Sequence, residues 1–141
     1  KELLSQLNHL EYYTLDYPKS LGTEWLEREF YPLIAKSRLS LSDLLATIVR
    51  HEVEQINKVL EEKELSSVFI TGGGALNTFF IDELKSIYSG KIIIPNKEII
   101  EFKEALIFAY LGTLYLNKKP NILKSVTGAK RDSIGGVLHL P

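Results

Sequence analysis

Three consecutive glycines, Gly72, Gly73 and Gly74, separate an apolar run from a stretch with helical periodicity that begins at Asn77. A strand-to-helix junction of this kind presents free backbone amides, which attract anions, and the missing Cβ atoms allow a ligand to touch the backbone. The three glycines and Asn77 are therefore candidates for contact with a nucleotide or another phosphate-bearing ligand. A tight turn with a purely structural role is the alternative, and the residue pattern leaves it open.

The spacing of this motif differs from two common phosphate-binding loops. Gly72, Gly74 and Asn77 follow the pattern G-x-G-x-x-N, whereas the dinucleotide fingerprint has a third glycine and an acidic residue at the end of the next strand. The next apolar run ends instead in Pro95 and Asn96. A P-loop is excluded because no Gly-Lys-Ser/Thr follows the glycines.

Four side chains elsewhere are candidates for contact with a polar substrate. Glu104 precedes a wholly apolar helical stretch, and it is either a solvent-facing carboxylate in a first helical turn or an acid aimed into a cleft. Lys19 and Ser20 are either part of a turn or a pair beside an anion. Thr127, next to Gly128, presents the same two alternatives.

The histidines do not predict a metal site. The segment H-E-V-E-Q begins like a zinc-protease helix at His51, but Gln55 stands where the second histidine ligand is needed. We therefore interpret His51 as an ordinary helix-face residue. No G-x-S-x-G nucleophile motif is present, and no catalytic residue is assigned from local signals.

Hydrophobic periodicity predicts the elements that position these residues. Helices are expected over 3–13, over 23–37 with a break or kink at Pro32, and over 40–65, where Ser40 and Asp43 form a capping box. Residues 67–71 and 91–95 read as parallel strands, joined by a helix that stops at Gly90. A deeply buried helix over 102–117 and a final strand-like segment, G-V-L-H-L, complete the chain.

The predicted fold class is α/β, helix-rich with a small and mainly parallel sheet. The length of 141 residues predicts a single domain over 1–141. The net charge of −1 argues against nucleic-acid binding and a polybasic membrane patch, and the most apolar stretch is too short to span a membrane. The absence of cysteine fits a reducing, cytoplasmic compartment. Because the chain begins at Lys1 and contains no methionine, we expect it to be a piece of a longer protein.

Four ordered segments give a more specific interpretation. P-K-S-L-G-T-E-W-L, I-T-G-G-G-A-L-N, E-A-L-I-F-A-Y-L-G and S-V-T-G-A resemble, in order and spacing, the C-terminal half of anhydro-N-acetylmuramic acid kinases. The resemblance covers nearly the whole chain. It implies a ribonuclease-H-like, actin-like ATPase half-domain on the nucleotide side of a two-domain kinase. It also implies ATP, Mg²⁺ and an amino-sugar substrate, which is hydrolytically opened and phosphorylated to N-acetylmuramic acid 6-phosphate for peptidoglycan recycling.

The resemblance carries over to individual residues. Gly72, Gly73, Gly74 and Asn77 match the adenosine motif of the family, whereas Glu104 matches an acidic residue at its sugar site. Lys19, Ser20 and Thr127 fall in the other matching segments, without an assigned chemical role.

Two departures concern the matching segments themselves. Leu76 replaces a histidine that is frequent in the family, and Phe102 and Lys103 replace an acidic pair before Glu104. The first difference removes any histidine contact from the glycine motif, and the second changes the segment that the resemblance places at the sugar site.

The stretch D-x-G-P-G-N, which carries the catalytic aspartate of the family, does not occur in this sequence. We therefore expect the N-terminal half to be absent, the chain alone to be inactive, and an exposed sheet edge to cause self-association or homodimerisation. The alternatives are another sugar or acyl kinase of the same superfamily and a non-catalytic nucleotide-binding module.

Overall fold

The structure is a computed structural model that describes residues 1–16 and 18–139. It divides into two compact units, Lys1–Ile94 and Pro95–Pro141, which are described separately. The first unit contains α1 (Glu2–Asn8), a 3₁₀ turn (Glu11–Thr14), α2 (Thr23–Trp25), a π-helical turn (Leu26–Phe30), α3 (Tyr31–Lys36), α4 (Leu41–Glu62), β1 (Ser67–Phe69), a second 3₁₀ turn (Gly73–Leu76), α5 (Thr78–Ile87) and β2 (Lys91–Ile93). The second unit contains α6 (Lys97–Leu116) and α7 (Lys124–Thr127).

The helix α4 is the longest element, and it begins where the capping pattern predicts. The Ser40 hydroxyl accepts a hydrogen bond from the Asp43 backbone amide at 3.1 Å and donates one to the Asp43 carboxylate at 2.7 Å. This satisfies one of the free amides in the first turn. The two side chains thus pair directly with each other.

The predicted β–α–β unit is confirmed. β1 and β2 are parallel, with Val68 opposite Ile92, and α5 connects them. The core of the first unit forms where α5 and the sheet meet α4, and its buried members are Val53, Leu60, Leu84 and Tyr88. The α/β class and the small parallel sheet are therefore as the sequence predicts, although each strand is only three residues long.

Two helices end in ways that the sequence does not predict. The helix expected over 3–13 stops at Asn8, and a separate 3₁₀ turn follows. α5 stops at Ile87 instead of Gly90, because Tyr88 adopts an extended conformation and its hydroxyl donates to the Leu65 carbonyl at 2.7 Å. Gly90 is required for space, since a Cβ there would collide with the Tyr88 ring.

The helix predicted over 23–37, with a break or kink at Pro32, agrees better with the structure. The helical path continues through Pro32, which lies in the first turn of α3, where a missing amide costs little. The π-helical turn just before it, Leu26–Phe30, absorbs the change in hydrogen bonding.

The second unit contradicts the prediction of a deeply buried helix over 102–117. α6 begins earlier, at Lys97, because the Asn96 side chain accepts a hydrogen bond from the Ile99 amide at 2.9 Å. None of its residues is buried, and Phe102 remains 64% exposed. An apolar sequence favours burial only where another element covers it, and within its own unit α6 is covered only in part, with Leu111, Leu114 and Tyr115 half-buried.

The tail of the second unit is mostly irregular. Gly128 and Gly136 have positive φ angles of 70° and 107°, a backbone region that favours glycine. The strand-like reading of G-V-L-H-L is wrong for residues 136–139, which form no strand, and Leu140 lies outside the described residues. The antiparallel bridge in this region joins Ile122 to Ser133 instead.

Candidate functional site

The glycine turn follows β1 directly and leads into α5. Gly72 has φ 85° and ψ −179°, a backbone conformation that is essentially restricted to glycine. The chain then closes a 3₁₀ turn in which the Ala75 amide donates to the Gly72 carbonyl at 3.0 Å and the Asn77 amide donates to the Gly74 carbonyl at 3.1 Å. Gly72 is therefore required by the fold, whatever it binds.

The reason for glycine at positions 73 and 74 differs from the reason at position 72. Neither has a positive φ, and a Cβ built at either position would meet no atom within 4 Å. Both residues are exposed. Backbone strain and packing among the described residues therefore do not require glycine at these positions, whereas a ligand lying against the backbone would.

Asn77 has a structural role in the turn. Its side-chain oxygen accepts a hydrogen bond from the Phe80 amide at 3.2 Å and so caps the first turn of α5. The predicted contact of Asn77 with a nucleotide stays a prediction, and any such contact would add to this capping.

Thr71 was not singled out in the sequence, although it immediately precedes the glycines. Its hydroxyl oxygen is buried and has no hydrogen-bond partner among the described residues. A buried polar atom without a partner costs free energy, so such atoms are rare in folded proteins. No local sequence signal could have identified this atom, because its burial depends on the elements packed around the turn.

Lys19 and Ser20 lie in a second part of the first unit, beside aromatic rings. The Lys19 ammonium donates to the Tyr12 carbonyl at 3.1 Å and lies 5.0 Å from the centre of the Tyr12 ring. Ser20 is exposed and lines a cavity of about 400 Å³ that also includes Tyr12, Trp25 and Arg28. The Tyr12 and Trp25 rings are 5.4 Å apart, which gives this cavity an aromatic wall with charged groups around it.

Glu104 and Thr127 belong to the second unit. Glu104 is exposed and lies about two turns inside α6, so its interpretation as a first-turn carboxylate is wrong. The Thr127 hydroxyl donates to the Leu123 carbonyl at 3.0 Å and accepts from the Ala129 amide at 3.3 Å. Gly128 ends α7 in the left-handed conformation, so the V-T-G-A segment forms a helix terminus.

The sequence-predicted residues thus form separate groups. The structure brings Gly72, Gly73, Gly74 and Asn77 together in one turn. Ser20 lines the aromatic cavity, whereas Lys19 lines a second cavity of about 640 Å³ that also includes Tyr12. Glu104 and Thr127 lie in the other unit. Among the described residues, no three His, Cys, Asp or Glu side chains cluster in a way that could hold a metal ion.

The interpretation of His51 as an ordinary helix-face residue is wrong. His51 is only 2% exposed, and both of its ring nitrogens form hydrogen bonds: Nε2 with the Tyr13 hydroxyl at 2.8 Å and Nδ1 with the Asn8 side-chain oxygen at 2.7 Å. Burial lowers the pKa of His51 below its ordinary value, and Glu54 opposes this effect only in part. His51 is therefore a neutral, buried member of a polar cluster.

Comparison with known proteins gives the family. A family model described as anhydro-N-acetylmuramic acid kinase matches residues 1–141. The kinase of that name from Shewanella oneidensis is 34% identical, over 96% of this chain and 38% of the relative. Those from Legionella pneumophila (strain Lens) and Sulfurimonas denitrificans are 30% and 28% identical, over 97% and 99% of this chain.

The family model matches this chain over its whole length, whereas the chain matches only part of each relative. This chain spans 39% of the Legionella protein and 41% of the Sulfurimonas protein. On the side of this chain, the family model leaves no residue unmatched. The chain belongs to the anhydro-N-acetylmuramic acid kinase family.

Proposed function

We propose that this chain is the nucleotide-side part of an ATP-dependent kinase that opens 1,6-anhydro-N-acetylmuramic acid with water and phosphorylates it to N-acetylmuramic acid 6-phosphate. The observation that carries this proposal is the glycine turn. Gly73 and Gly74 leave open space against an exposed backbone, and they do so within a chain that the kinase family model matches throughout.

The residues of the turn fit a nucleotide. The backbone of Gly73 and Gly74 would lie against it, while Gly72 fixes the direction of the chain and Asn77 caps α5. When bound, ATP supplies the γ-phosphoryl group of the reaction. The described residues assemble no carboxylate cluster for Mg²⁺, so the role of this ion stays a prediction and no step is derived through it.

The proposed reaction has two steps, opening of the anhydro bridge and transfer of the phosphoryl group. Water attacks the anomeric carbon, the bond from this carbon to the bridging oxygen breaks, and a general base accepts the proton of the water. The released oxygen then accepts the phosphoryl group, and ADP departs. The resemblance assigns the base to an aspartate in the D-x-G-P-G-N stretch, which this sequence lacks, so the chain alone is expected to be inactive.

The substrate side of the proposal involves four residues. Glu104 is available as an exposed carboxylate that would bind or orient the sugar or the water. Ser20 lines the cavity with the aromatic wall, a surface on which a sugar ring packs well, and Lys19 lines a second cavity that also includes Tyr12. Thr127 is the weakest of the four, because its hydroxyl already bonds to two backbone groups.

Three coarser features support the rest of the proposal. The parallel β1–α5–β2 unit is compatible with a ribonuclease-H-like half-domain. Among the described residues, no helix is long and apolar enough to cross a bilayer. We also propose a cytoplasmic location, which the absence of cysteine fits.

Self-association is proposed from the exposed apolar surface. Phe102, Leu106 and Tyr110 follow one another at four-residue intervals on one face of α6, and all are more than 60% exposed. In the other unit, Phe69 on β1 is 56% exposed. Sedimentation of the isolated chain should show dimers or larger species, and a strictly monomeric profile would contradict this part of the proposal.

A chimera tests the enzymatic proposal directly. This chain would replace its matching segment in the Legionella kinase, and the chimera would be assayed with the anhydro sugar and ATP. We expect N-acetylmuramic acid 6-phosphate to form, and Gly73→Ala to weaken the use of ATP. A folded chimera that phosphorylates only a different sugar would favour the alternative kinase. A chain that binds NAD in preference to ATP, as measured by calorimetry, would contradict the nucleotide assignment.

A further inference from the structure

A continuous polar network runs through the first unit around His51. The Asn8 side chain bonds to His51, to Gln55 at 2.9 Å and to Glu54 at 2.6 Å. Glu54 in turn accepts a hydrogen bond from Arg50 at 2.8 Å. The same guanidinium donates to Glu83 on α5 at 3.0 Å. The network therefore joins α1, α4 and α5 through side chains alone.

The partners of Asn8 determine the hydrogen-bond directions at its side chain. The Glu54 carboxylate can only accept, so the Asn8 amide nitrogen must donate to it. The Asn8 oxygen is then left to accept from both Gln55 and the Nδ1–H group of His51. The Nδ1–H group of His51 therefore donates to Asn8. Because burial lowers the pKa of His51, the ring is neutral near pH 7, and its Nε2 then accepts the hydroxyl proton of Tyr13.

Each end of the network leads to a predicted binding segment. At one end, Glu83 lies on α5, the helix that Asn77 caps immediately after the glycine turn. At the other end, Tyr13 packs edge-on against the Tyr12 ring at 5.4 Å, and Tyr12 holds the Lys19 ammonium.

We propose that this network is a positioning device that connects the glycine turn to the Tyr12–Lys19 segment, with His51 as its central positioning residue, acting through Tyr13. The functional meaning of this connection rests on the proposed function, whereas the connection itself does not. His51 contacts neither predicted binding segment directly. It acts by fixing the Tyr13 hydroxyl on one side and the Asn8 side chain on the other.

The charges around the network favour one protonation state. Arg50 donates hydrogen bonds to two carboxylates, and these bonds raise its pKa, the one to Glu54 most and the one to Glu83 next. Burial raises the pKa of Tyr13, with smaller contributions from Tyr12 and Glu52. Together with the lowered pKa of His51, this keeps the arginine charged and both the tyrosine and the histidine neutral near pH 7.

The first test uses NMR of the ¹⁵N-labelled chain. Long-range proton–nitrogen correlations should show the His51 proton on Nδ1 at pH 7. Tyr13→Phe removes one hydroxyl and retains the ring, and it should move the backbone amide signals of Gly72, Gly73 and Gly74. The control is Tyr110→Phe, which removes an exposed hydroxyl from the other unit and should leave these signals unchanged.

The second test perturbs the opposite end, because coupling between two sites is reciprocal. Glu83→Gln should move the His51 ring signals and the fluorescence of Trp25, the one tryptophan of the chain. Asp82→Asn is the matched control on the same helix, since Asp82 is 73% exposed and pairs with Lys85 at 3.8 Å. It removes an equal charge outside the network and should leave His51 unchanged.

The outcomes separate this proposal from the proposed function. If folded Tyr13→Phe and Glu83→Gln variants leave the distant signals at their wild-type positions, or if the His51 proton lies on Nε2, the network proposal is overturned. If the wild-type chain does not bind ATP while both sets of signals move, the nucleotide assignment fails and the network stands. If ATP binds, Tyr13→Phe should weaken it roughly twofold to tenfold.

Discussion

Alanine substitutions at Gly72 and Gly73 separate the structural from the ligand-binding role of the glycine turn. At Gly72 the backbone has φ 85° and ψ −179°, a region that costs a non-glycine residue about 1–3 kcal/mol. A Cβ at this position would meet no atom within 4 Å, so the cost comes from conformation alone. We expect Gly72→Ala to lower the free energy of unfolding by this amount.

Gly73→Ala should behave in the opposite way. Gly73 has no positive φ and equally open surroundings, so alanine restricts the unfolded chain without straining the folded one. The expected change is between zero and a stabilisation of about 1 kcal/mol. The new methyl group would, however, occupy the space that we assign to the nucleotide. ATP affinity should therefore fall while stability does not.

Urea unfolding followed by circular dichroism, paired with ATP calorimetry on the same samples, measures both quantities. Equal unfolding free energies for Gly72→Ala and the wild-type chain would refute the conformational argument. Wild-type ATP affinity in a stable Gly73→Ala variant would refute the assignment of the open space to the nucleotide. A loss of both stability and affinity at Gly73 would indicate packing that the structure does not show.

Three further predictions concern individual side chains. Thr71→Val removes a buried hydroxyl without a partner and should stabilise the chain by roughly 1–3 kcal/mol in urea unfolding, whereas Thr71→Ser should not. Because the pKa of folded His51 lies below its ordinary value of 6.5, the unfolded state binds the proton more readily. The contribution of His51 to the free energy of unfolding is therefore fully present above pH 6.5. Below pH 6.5 the free energy of unfolding should fall by up to about 1.4 kcal/mol per pH unit, and His51→Gln should reduce this pH dependence. Leu84→Ala empties a fully buried position and should cost about 2–5 kcal/mol, while Leu45→Ala on the exposed face of α4 should change unfolding little; equal effects would contradict the assigned core.

Sequence patterns predicted the features that depend on neighbouring residues along the chain. The start of α4 at its Ser40 cap, the helix between the two strands and the parallel pairing all follow from local periodicity and capping. The glycine turn was located in the same way, because only glycine readily adopts the backbone conformation of Gly72. The family was also readable from four short motifs.

Features that depend on distant residues were missed or misread. The sequence predicts His51 only as an ordinary helix-face residue, because its partners Asn8 and Tyr13 lie 43 and 38 residues away. Gly90 resembled a helix stop, whereas glycine is required there by the ring of Tyr88, which hydrogen-bonds to the Leu65 carbonyl 23 residues away.

The apolar sequence of α6 specified a preference for burial, but a preference does not provide a covering element. At the candidate site, the burial of Thr71 was also not predictable from the sequence. Its hydroxyl is buried by the fold, and its neighbours along the chain give no sign of this. The sequence by itself thus determined the capped start of α4, the β–α–β order, the position of the glycine turn and the family. The tertiary structure decided which polar groups are buried and what they contact, because burial is a property of the packed elements and not of the residue.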